Sequence, residues 1–501
     1  MYNIFNRNNQ IILFIGFLYT YVINIHRNAK VDFSADSSFK KVYFPSITEY
    51  ILIFLVNITD TIFLAKAGQG YVNSFAIFNL ANVIAILSCM IVANISCADF
   101  FCSKVHKGKK SKQYIFGRSV FITLIIGLFF STIYIIHAEW ILSTGGIDDS
   151  SIQLSTIYFK ILSINILFLS LRQVARTINS IMNISLISLI SALGVLLGNL
   201  LINTLVLFIL IDNLYYYVVA ISLSTLLCQS IASISQIVIL VRKRHLELGF
   251  FTYFNKEDIE NILSVLRSGL ISSLEVASYN IMAFCILSFI ANISPSVYYI
   301  RNATAPFFLI ITANMVSWSI LANVELSKLI KNGYYIKANE FSDAVSRISA
   351  FYSAIGLFFM ALVISPFYQY LLDINYSWIL MAIVLPLSLI EIIRCYNSIT
   401  LTILRLNNNI GRSTILSLCS YAFVIVLVLS IREFVPRYYF NDWIAIGLII
   451  LLLIDELNRT IVNRSIAYQK YPLGIIKTPS ELVESRNLRK EGVYDVKKNL
   501  R

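Results

Sequence analysis

Charge is scarce in this chain of 501 residues. Only 13% of the residues are charged, about half the share found in soluble proteins, while 57% are hydrophobic. Such a chain cannot cover a water-facing surface, so the composition excludes soluble enzymes, nucleic-acid-binding modules and disordered linkers. It indicates a protein that crosses the lipid bilayer many times, with room for about twelve helices of roughly 20 residues each.

Sequence motifs for catalysis and metal binding are missing as well. The sequence contains no HExxH, no GxSxG and no phosphate-binding glycine loop, and it has only 18 glycines. None of the seven cysteines forms a CxxC pair, and the four histidines are scattered. The sequence therefore predicts neither an enzyme nor a protein with a cofactor, and the low glycine content argues against an ATP-driven pump.

Long apolar runs separated by polar loops are the main positive feature of the sequence. They predict an all-α membrane protein with twelve transmembrane helices. The runs lie near residues 43–66, 73–102, 116–138, 152–172, 182–210, 214–241, 268–292, 297–324, 345–367, 376–403, 413–431 and 440–457.

A charged gap divides these runs into two groups of six. We expect an amino-terminal lobe over 43–241, a cytoplasmic linker over 242–267 and a carboxy-terminal lobe over 268–465. Residues 466–501 are predicted to be a cytoplasmic tail. Residues 1–42 form an extension whose apolar stretch is short for a span, and we interpret it as an additional helix that spans or lies at the membrane surface.

The distribution of basic residues predicts the orientation in the membrane. Lys and Arg are roughly fivefold more frequent in the even-numbered loops, which include Arg172 and Arg176 after the fourth run, than in the odd-numbered ones. Since basic loops stay in the cytoplasm, both ends of the twelve-helix unit are predicted to be cytoplasmic. The net charge of +13 therefore reflects membrane topology and does not indicate a nucleic-acid partner.

Short internal matches indicate that the two lobes come from a duplicated unit. SKVHKG at 103–108 resembles SKLIKNG at 327–333, and NITD at Asn57 is in near register with NIMA at Asn280. Secondary transporters are commonly built from such repeats, with binding sites near the middle of the bilayer. The pattern therefore favours a transporter.

Polar residues within the apolar runs are the candidates for a binding site. Asp60 lies deep in the first run, where a charge is costly. Asn199 and Asn203 in the fifth run are four residues apart and share one helix face. One interpretation is that these groups only join helices. The other is that they bind Na⁺ through carboxylate and amide oxygens, or that Asp60 carries a proton.

The second lobe contains further acidic candidates. Glu275 in the seventh run is either a cation or substrate ligand or a structural partner of a nearby Arg or Tyr. Glu391 and Arg394 in the tenth run are three residues apart, so they can pair on one helix face. We expect Lys160 to extend toward the membrane surface. Asp455 and Glu456, near the inner end of the last run, receive no predicted role.

At several of these positions the sequence resembles the multidrug and toxic compound extrusion (MATE) family. The similar segments are the stretch from Pro45 through NITDTIFLAKAG at 57–68, GGIDDSSIQLSTIYFKIL at 145–162, ARTINSIMNISLISLISALGVLLGNLLIN at 175–203 and LISSLEVASYN at 270–280. The resemblance implies a two-lobed, twelve-helix antiporter that exports organic, often cationic, compounds while Na⁺ or H⁺ enters.

The resemblance also implies roles for individual residues. Asp60, Asn199 and Asn203 match the family's amino-terminal cation cluster, and Glu275 matches the acid of its seventh helix. Counting back along the chain from Leu404 and Arg405 places Arg394 at the position of the family's tenth-helix acid. Glu391 occupies that position only if the alignment is shifted by one helical turn. The implied partners are the lipid bilayer and a small organic substrate, with the protein acting as a monomer in the inner membrane of a bacterium.

Two other functions stay open at this point. A lipid-linked oligosaccharide flippase of the same superfamily would need several Lys or Arg residues inside the spans, for which Lys160 and Arg394 are the candidates. A membrane scaffold without transport activity is the third hypothesis. The cation-coupled exporter is preferred because Asp60 and the two amides of the fifth run predict a cation site.

Overall fold

The computed structural model describes residues 43–106, 109–181, 184–242, 256–331, 335–371, 378–406, 410–434 and 441–470. Every secondary-structure element in this part of the chain is a helix. The helices are α1 Phe44–Ala67, α2 Gln69–His106, α3 Lys109–Ile136, α4 Ala138–Thr144, α5 Asp149–Ile181, α6 Leu186–Leu210, α7 Leu214–Arg242, α8 Lys256–Ile293, α9 Pro295–Lys331, α10 Tyr335–Leu371, α11 Trp378–Leu406, α12 Ile410–Phe434 and α13 Asp442–Lys470.

Each of the twelve apolar runs forms one long helix, so the predicted fold class is confirmed. The shortest of these helices, α1, has 24 residues, enough to cross a hydrocarbon layer of about 30 Å at 1.5 Å per residue. Eight helices in the described part meet strict limits of length and apolar composition for a membrane span. One further helix, α4, is a short connection of seven residues between α3 and α5.

Several helices are longer than the apolar runs that predicted them. α8 begins at Lys256, within the segment 242–267 that was predicted to be a linker, and α13 extends to Lys470, beyond the predicted end of its lobe at residue 465. α5 continues to Ile181, so Arg172 and Arg176 lie inside a helix and are buried. Assigning these two arginines to a cytoplasmic loop was therefore wrong. Polar residues can continue a membrane helix when neighbouring side chains satisfy them.

The two groups of six long helices pack in the same pattern. In the first group α5 is central and contacts α2, α3 and α7, while α1 packs on α6. In the second group α11 is central and contacts α9, α10 and α13, while α8 packs on α12. Equivalent helices thus make equivalent contacts, which is the arrangement that duplication of a six-helix unit produces.

The lobes contact each other through α1 and α2 on one side and α8 and α9 on the other. At the end that the charge bias assigns to the outside, the Asn302 amide donates to the Asn73 side-chain oxygen at 3.0 Å. Gly146 there has a φ of +84°, and a Cβ on it would lie 2.5 Å from the Ala291 Cβ. Only glycine fits this close approach, so the outer seam between the lobes is tight.

At the opposite end of α1 an aromatic contact joins the lobes. The Tyr43 hydroxyl donates to the Asn314 side-chain oxygen at 2.8 Å, and the rings of Tyr43 and Trp318 have centroids 4.5 Å apart. Tyr and Trp bury large areas while keeping a polar atom for a hydrogen bond. The start of α1 is therefore anchored on the inner half of α9.

The outer surface of the bundle is apolar. On α6 the side chains of Ile190, Leu197, Leu201 and Phe208 are all exposed, whereas its buried positions form one narrow stripe. Large apolar side chains at this density on a surface fit contact with lipid and not with water. The surface supports the prediction of a lipid-embedded protein.

An ion pair lies buried in the inner part of the first lobe. The Arg176 Nε donates to the Glu49 Oε1 at 2.7 Å, and both side chains are almost fully buried. Another nitrogen of Arg176 donates to the Gln173 carbonyl oxygen at 2.7 Å, and its guanidinium lies 4.2 Å from the centre of the Tyr50 ring. The pair links α1 to α5 close to the start of α1.

Removing one partner of this pair tests its contribution to stability. We expect Glu49→Gln to lower the free energy of unfolding by about 3–5 kcal/mol, because the charge of Arg176 stays buried without its carboxylate. Denaturant unfolding in detergent micelles measures the change. The matched control is Glu139→Gln at an exposed position of α4, which should change stability by about 0.5 kcal/mol or less. An equal loss in both variants would contradict the prediction.

Candidate cation site in the amino-terminal lobe

Asp60 is buried where α1, α6 and α7 meet, with 1% of its surface exposed. The Asn203 amide from α6 donates to Asp60 Oδ1 at 3.0 Å. The Thr225 hydroxyl from α7 donates to Asp60 Oδ2 at 3.0 Å. Each carboxylate oxygen therefore has a neutral donor from a different helix.

A second set of hydrogen bonds fixes these two donors. Asn199 donates to the Thr225 hydroxyl oxygen at 2.9 Å and accepts a hydrogen bond from Asn203 at 3.0 Å. The Ser224 hydroxyl donates to the Asn203 side-chain oxygen at 2.5 Å. Because the donors constrain one another, the geometry around Asp60 is held by a closed polar network.

The sequence of α6 explains how its two amides reach this site. Buried residues recur along α6 at intervals of three or four, as Ala192, Val195, Asn199, Asn203 and Val206. This spacing defines a single helix face, and the remaining faces are occupied largely by leucine and isoleucine. The amides therefore point into the lobe because every other face of α6 is apolar.

Oxygen atoms and the lack of a basic partner define the chemistry of this site. Carboxylate, amide and hydroxyl oxygens from Asp60, Asn199, Asn203 and Thr225 converge within hydrogen-bonding distance. Among the described residues, no Lys, Arg or His forms an ion pair with Asp60. A hard monovalent cation could bind these oxygens, and a proton could neutralise the carboxylate.

The structure brings together the three residues predicted for this site and adds two. Ser224 and Thr225 were missed because hydroxyl residues are common in membrane helices, where they usually bond to their own backbone. The spacing of polar residues along α7 could have indicated Thr225. Ser222, Thr225, Gln229, Ser233 and Gln236 are polar positions of α7 spaced by three or four residues, and all are buried.

In the second lobe, Glu391 and Arg394 form the predicted pair on α11. The Arg394 Nη1 donates to Glu391 Oε1 at 2.7 Å, and the Thr312 hydroxyl from α9 donates to the other oxygen at 2.9 Å. The Arg394 Nε also donates to Glu456 at 3.4 Å. The charge of Glu391 is thus compensated within the protein, unlike that of Asp60.

The pair is part of a larger buried cluster. Arg459 on α13 binds both Asp455 and Glu456, and the Tyr279 ring on α8 lies 4.5 Å from the Arg394 guanidinium and 5.0 Å from that of Arg459. Asp455 and Glu456, which had no predicted role, therefore balance two arginines inside the lobe. The short spacing between acids and arginines on α13 was the available signal.

Two remaining predictions concern Glu275 and Lys160. Glu275 belongs to α8, but its side chain lies outside the described residues, so its role stays a prediction. Lys160 is exposed on α5, and its extension toward the membrane surface stays a prediction. Within the described part of the chain, no group of three or more His, Cys, Asp or Glu side chains is placed to hold a metal ion.

Two groups of six long helices with the same packing, and a polar site buried within the bundle, form an arrangement that is common among secondary transporters. Comparison with known protein families agrees with this class. The MatE family model matches residues 45–205, which contain α1 to α6 almost completely and therefore Asp60, Asn199 and Asn203. No curated protein matches the sequence significantly.

Solved structures of MATE and related transporters share the fold. A multidrug resistance MATE family transporter in its inward-facing conformation is 15% identical, with a TM-score of 0.59 over 84% of this chain and 96% of the other. A MATE mutant structure is 14% identical, with a TM-score of 0.65 over 88% and 97%. A MOP superfamily transporter from Pyrococcus furiosus is 16% identical, with a TM-score of 0.62 over 86% and 96%.

These findings confirm the resemblance predicted from the sequence. The MatE match covers most of the first lobe, and the MATE fold extends over more than four-fifths of the chain. At identities of 14–16% the solved structures establish the fold alone. The role of each site residue is therefore argued from this chain's own geometry.

Substitutions of Thr225 test the hydrogen bond that only the structure revealed. We expect Thr225→Val to lower the free energy of unfolding by about 1–3 kcal/mol, because Asp60 Oδ2 loses its donor in a buried site. Thr225→Ser keeps a hydroxyl group and should lose less. Thermal unfolding of the two purified variants in the same detergent compares them. If valine and serine were equivalent, the Thr225 hydroxyl would contribute nothing at Asp60.

Proposed function

We propose that this protein is a cation-coupled antiporter that exports small organic compounds, cationic or amphipathic, in exchange for Na⁺ or H⁺. The observation that carries the proposal is the Asp60 site. Asp60 is the only buried acid among the described residues without an arginine or lysine partner, and amide and hydroxyl groups surround it. A buried carboxylate without a basic partner is strongly stabilised when a cation binds to it.

The proposed mechanism uses the contact between the two lobes. Cation binding at Asp60 stabilises one arrangement of the lobes and substrate binding stabilises the other, so the two sites are coupled by a difference in affinity. The inward cation gradient then supplies the energy for export. The solved relatives include a transporter described in inward-facing and outward-facing conformations, which supports a cycle of this kind.

The cellular setting belongs to the same proposal. The protein would act as a monomer in a cell membrane, the inner membrane of a bacterium, with both ends of the twelve-helix unit in the cytoplasm. Its partners would be the lipid bilayer and the small organic substrate, without a nucleic acid and without a cofactor other than the coupling ion. The exposed apolar face of α6 supports the lipid contact.

A lipid-linked oligosaccharide flippase is the second candidate function. The structure contains more buried arginines than the sequence indicated, since Arg118, Arg172, Arg176 and Arg459 are buried inside helices in addition to the half-buried Arg394. Arg176, Arg394 and Arg459 are paired with acids, however, which leaves them less available for a lipid phosphate. Restoration of growth in a flippase-deficient strain would favour this alternative over the antiporter.

Replacing the acid of the proposed cation site tests the antiporter directly. We expect Asp60→Asn to reduce cation-driven substrate uptake into proteoliposomes by at least about 100-fold, because the amide keeps the shape but cannot carry a charge or exchange a proton. The control is Asp212→Asn, an exposed acid between α6 and α7, which should transport normally. Unchanged uptake by Asp60→Asn would exclude the mechanism.

The same vesicles identify the coupling ion. A Na⁺ gradient and a pH gradient are imposed separately, and only one of them should drive uptake by the wild type. If neither gradient drives transport of a panel of amphipathic cations and neutral compounds, the protein is not an exporter of this type.

A cross-link across the outer seam tests the movement of the lobes. In a background without the native cysteines, we expect a short thiol-specific cross-linker to join Asn73→Cys to Asn302→Cys, because their amides are 3.0 Å apart. The linked protein should stop transporting, and cleavage of the linker should restore activity. Asn73→Cys alone, treated identically, is the control. Full activity of the linked protein would mean that the seam does not open during transport.

A further inference from the structure

Arg172 is a buried arginine that has no acidic partner among the described residues. It lies on α5 with 1% of its surface exposed. Its Nη1 donates to the Gln229 side-chain oxygen at 2.5 Å, while its Nε and Nη2 have no hydrogen-bond partner in the described part of the chain. These two nitrogens form one edge of the guanidinium and point the same way, which is the geometry that binds an anion through two parallel hydrogen bonds.

The balance of charge around Arg172 is unequal. Arg176 lies one helical turn further along α5, so two guanidinium groups share a face and repel each other. The described acid near them is Glu49, and Arg176 already holds it at 2.7 Å. A cation that is buried in a lipid-embedded lobe without compensation is strongly destabilising. The described residues in this part of the lobe therefore hold one positive charge more than they hold negative charges.

Gln236 supplies a second set of unpartnered polar atoms. It is fully buried on α7, and no described residue forms a hydrogen bond with its amide nitrogen or its side-chain oxygen. Contacts of two neighbouring residues on α7 show which part of α5 lies beside Gln236. Ser233 donates to the Phe168 backbone oxygen at 2.8 Å, and Leu240 packs in one cluster with Val174 and Ala175. Gln236 lies between these contacts on α7, as Arg172 does on α5.

We propose that Arg172 and Gln236 bind a small inorganic anion of the size of chloride inside the amino-terminal lobe. The Nε and Nη2 edge of Arg172 donates two hydrogen bonds to the anion, and the Gln236 amide donates a third. The anion balances the second arginine of α5. This site is separate from Asp60 and does not depend on the antiporter mechanism.

The position of the anion site connects it to Asp60. Gln229, which holds Arg172, lies one helical turn from Thr225 on the same buried face of α7. Thr225 donates to Asp60. The bound anion therefore fixes Arg172 and, through Gln229, the segment of α7 that carries the Asp60 donor.

Thermal unfolding at constant Na⁺ and constant ionic strength tests the anion site. The Tm of the full-length protein in detergent is measured as chloride replaces gluconate, an anion too large for a buried site. We expect the Tm to rise by a few degrees and to saturate, because a ligand that binds only the folded state stabilises it. A wild type with the same Tm in both salts would overturn the proposal and show that water alone satisfies Arg172.

Single substitutions test whether Arg172 is responsible for the rise of the Tm with chloride. Arg172→Gln should lose the chloride response, whereas Arg242→Gln, which removes an exposed arginine at the end of α7, should keep it. Asp60→Asn should also keep it, so that failure of the antiporter proposal and failure of the anion proposal are distinguishable. A response that persists in Arg172→Gln would place the anion elsewhere and overturn the proposal.

If Arg172→Gln does not fold, the variant Gln236→Glu tests the proposed anion site instead. The new carboxylate lies at the level of Arg172 in the lobe and, in the proposed site, replaces the anion, so this variant should have a high Tm without chloride and no further rise with it. A full chloride response in Gln236→Glu would contradict the proposal. In crystals grown with bromide, an anomalous peak between Arg172 and Gln236 is the expected direct observation.

Discussion

The cost of placing a charge in hydrocarbon is the constraint on which the buried part of this protein depends. Most buried acids meet it with an arginine: Glu49 with Arg176, Glu391 with Arg394, and Asp455 and Glu456 with Arg459. Asp60 meets it with neutral amides and a hydroxyl. Such an acid is fixed in place but not neutralised by the protein. An ion from outside can neutralise its charge by binding and restore it by leaving.

Two lobes with the same helix packing carry different chemistry. The first lobe surrounds Asp60 with neutral groups, whereas the second balances its buried acids with Arg394 and Arg459 around Tyr279. Fixed ion pairs stabilise a structure but exchange nothing with the solvent. In the proposed mechanism the first lobe would therefore respond to ions, and the second would provide a rigid counterpart.

The sequence predicted the fold better than it predicted the site. Apolar runs located all twelve long helices, because a span must be apolar over most of its length. The same rule failed at the helix ends, where Arg172 and Arg176 continue α5 as buried residues. Asn199 and Asn203 were found because a spacing of four defines a face. Thr225 was not, since its contact with Asp60 depends on how α7 packs against α1, which spacing along one helix does not determine.

An acid with a single negative charge limits the work that each cycle can perform. One monovalent cation moving down a membrane potential of 100 mV releases about 2.3 kcal/mol, and a tenfold concentration ratio requires about 1.4 kcal/mol. In the proposed antiport, one cation bound per cycle at Asp60, the one acid of the described lobe core without a basic partner, would allow a neutral compound to be exported against a concentration ratio of roughly fifty by that potential alone. A steeper ratio would demand a chemical gradient of the ion in addition.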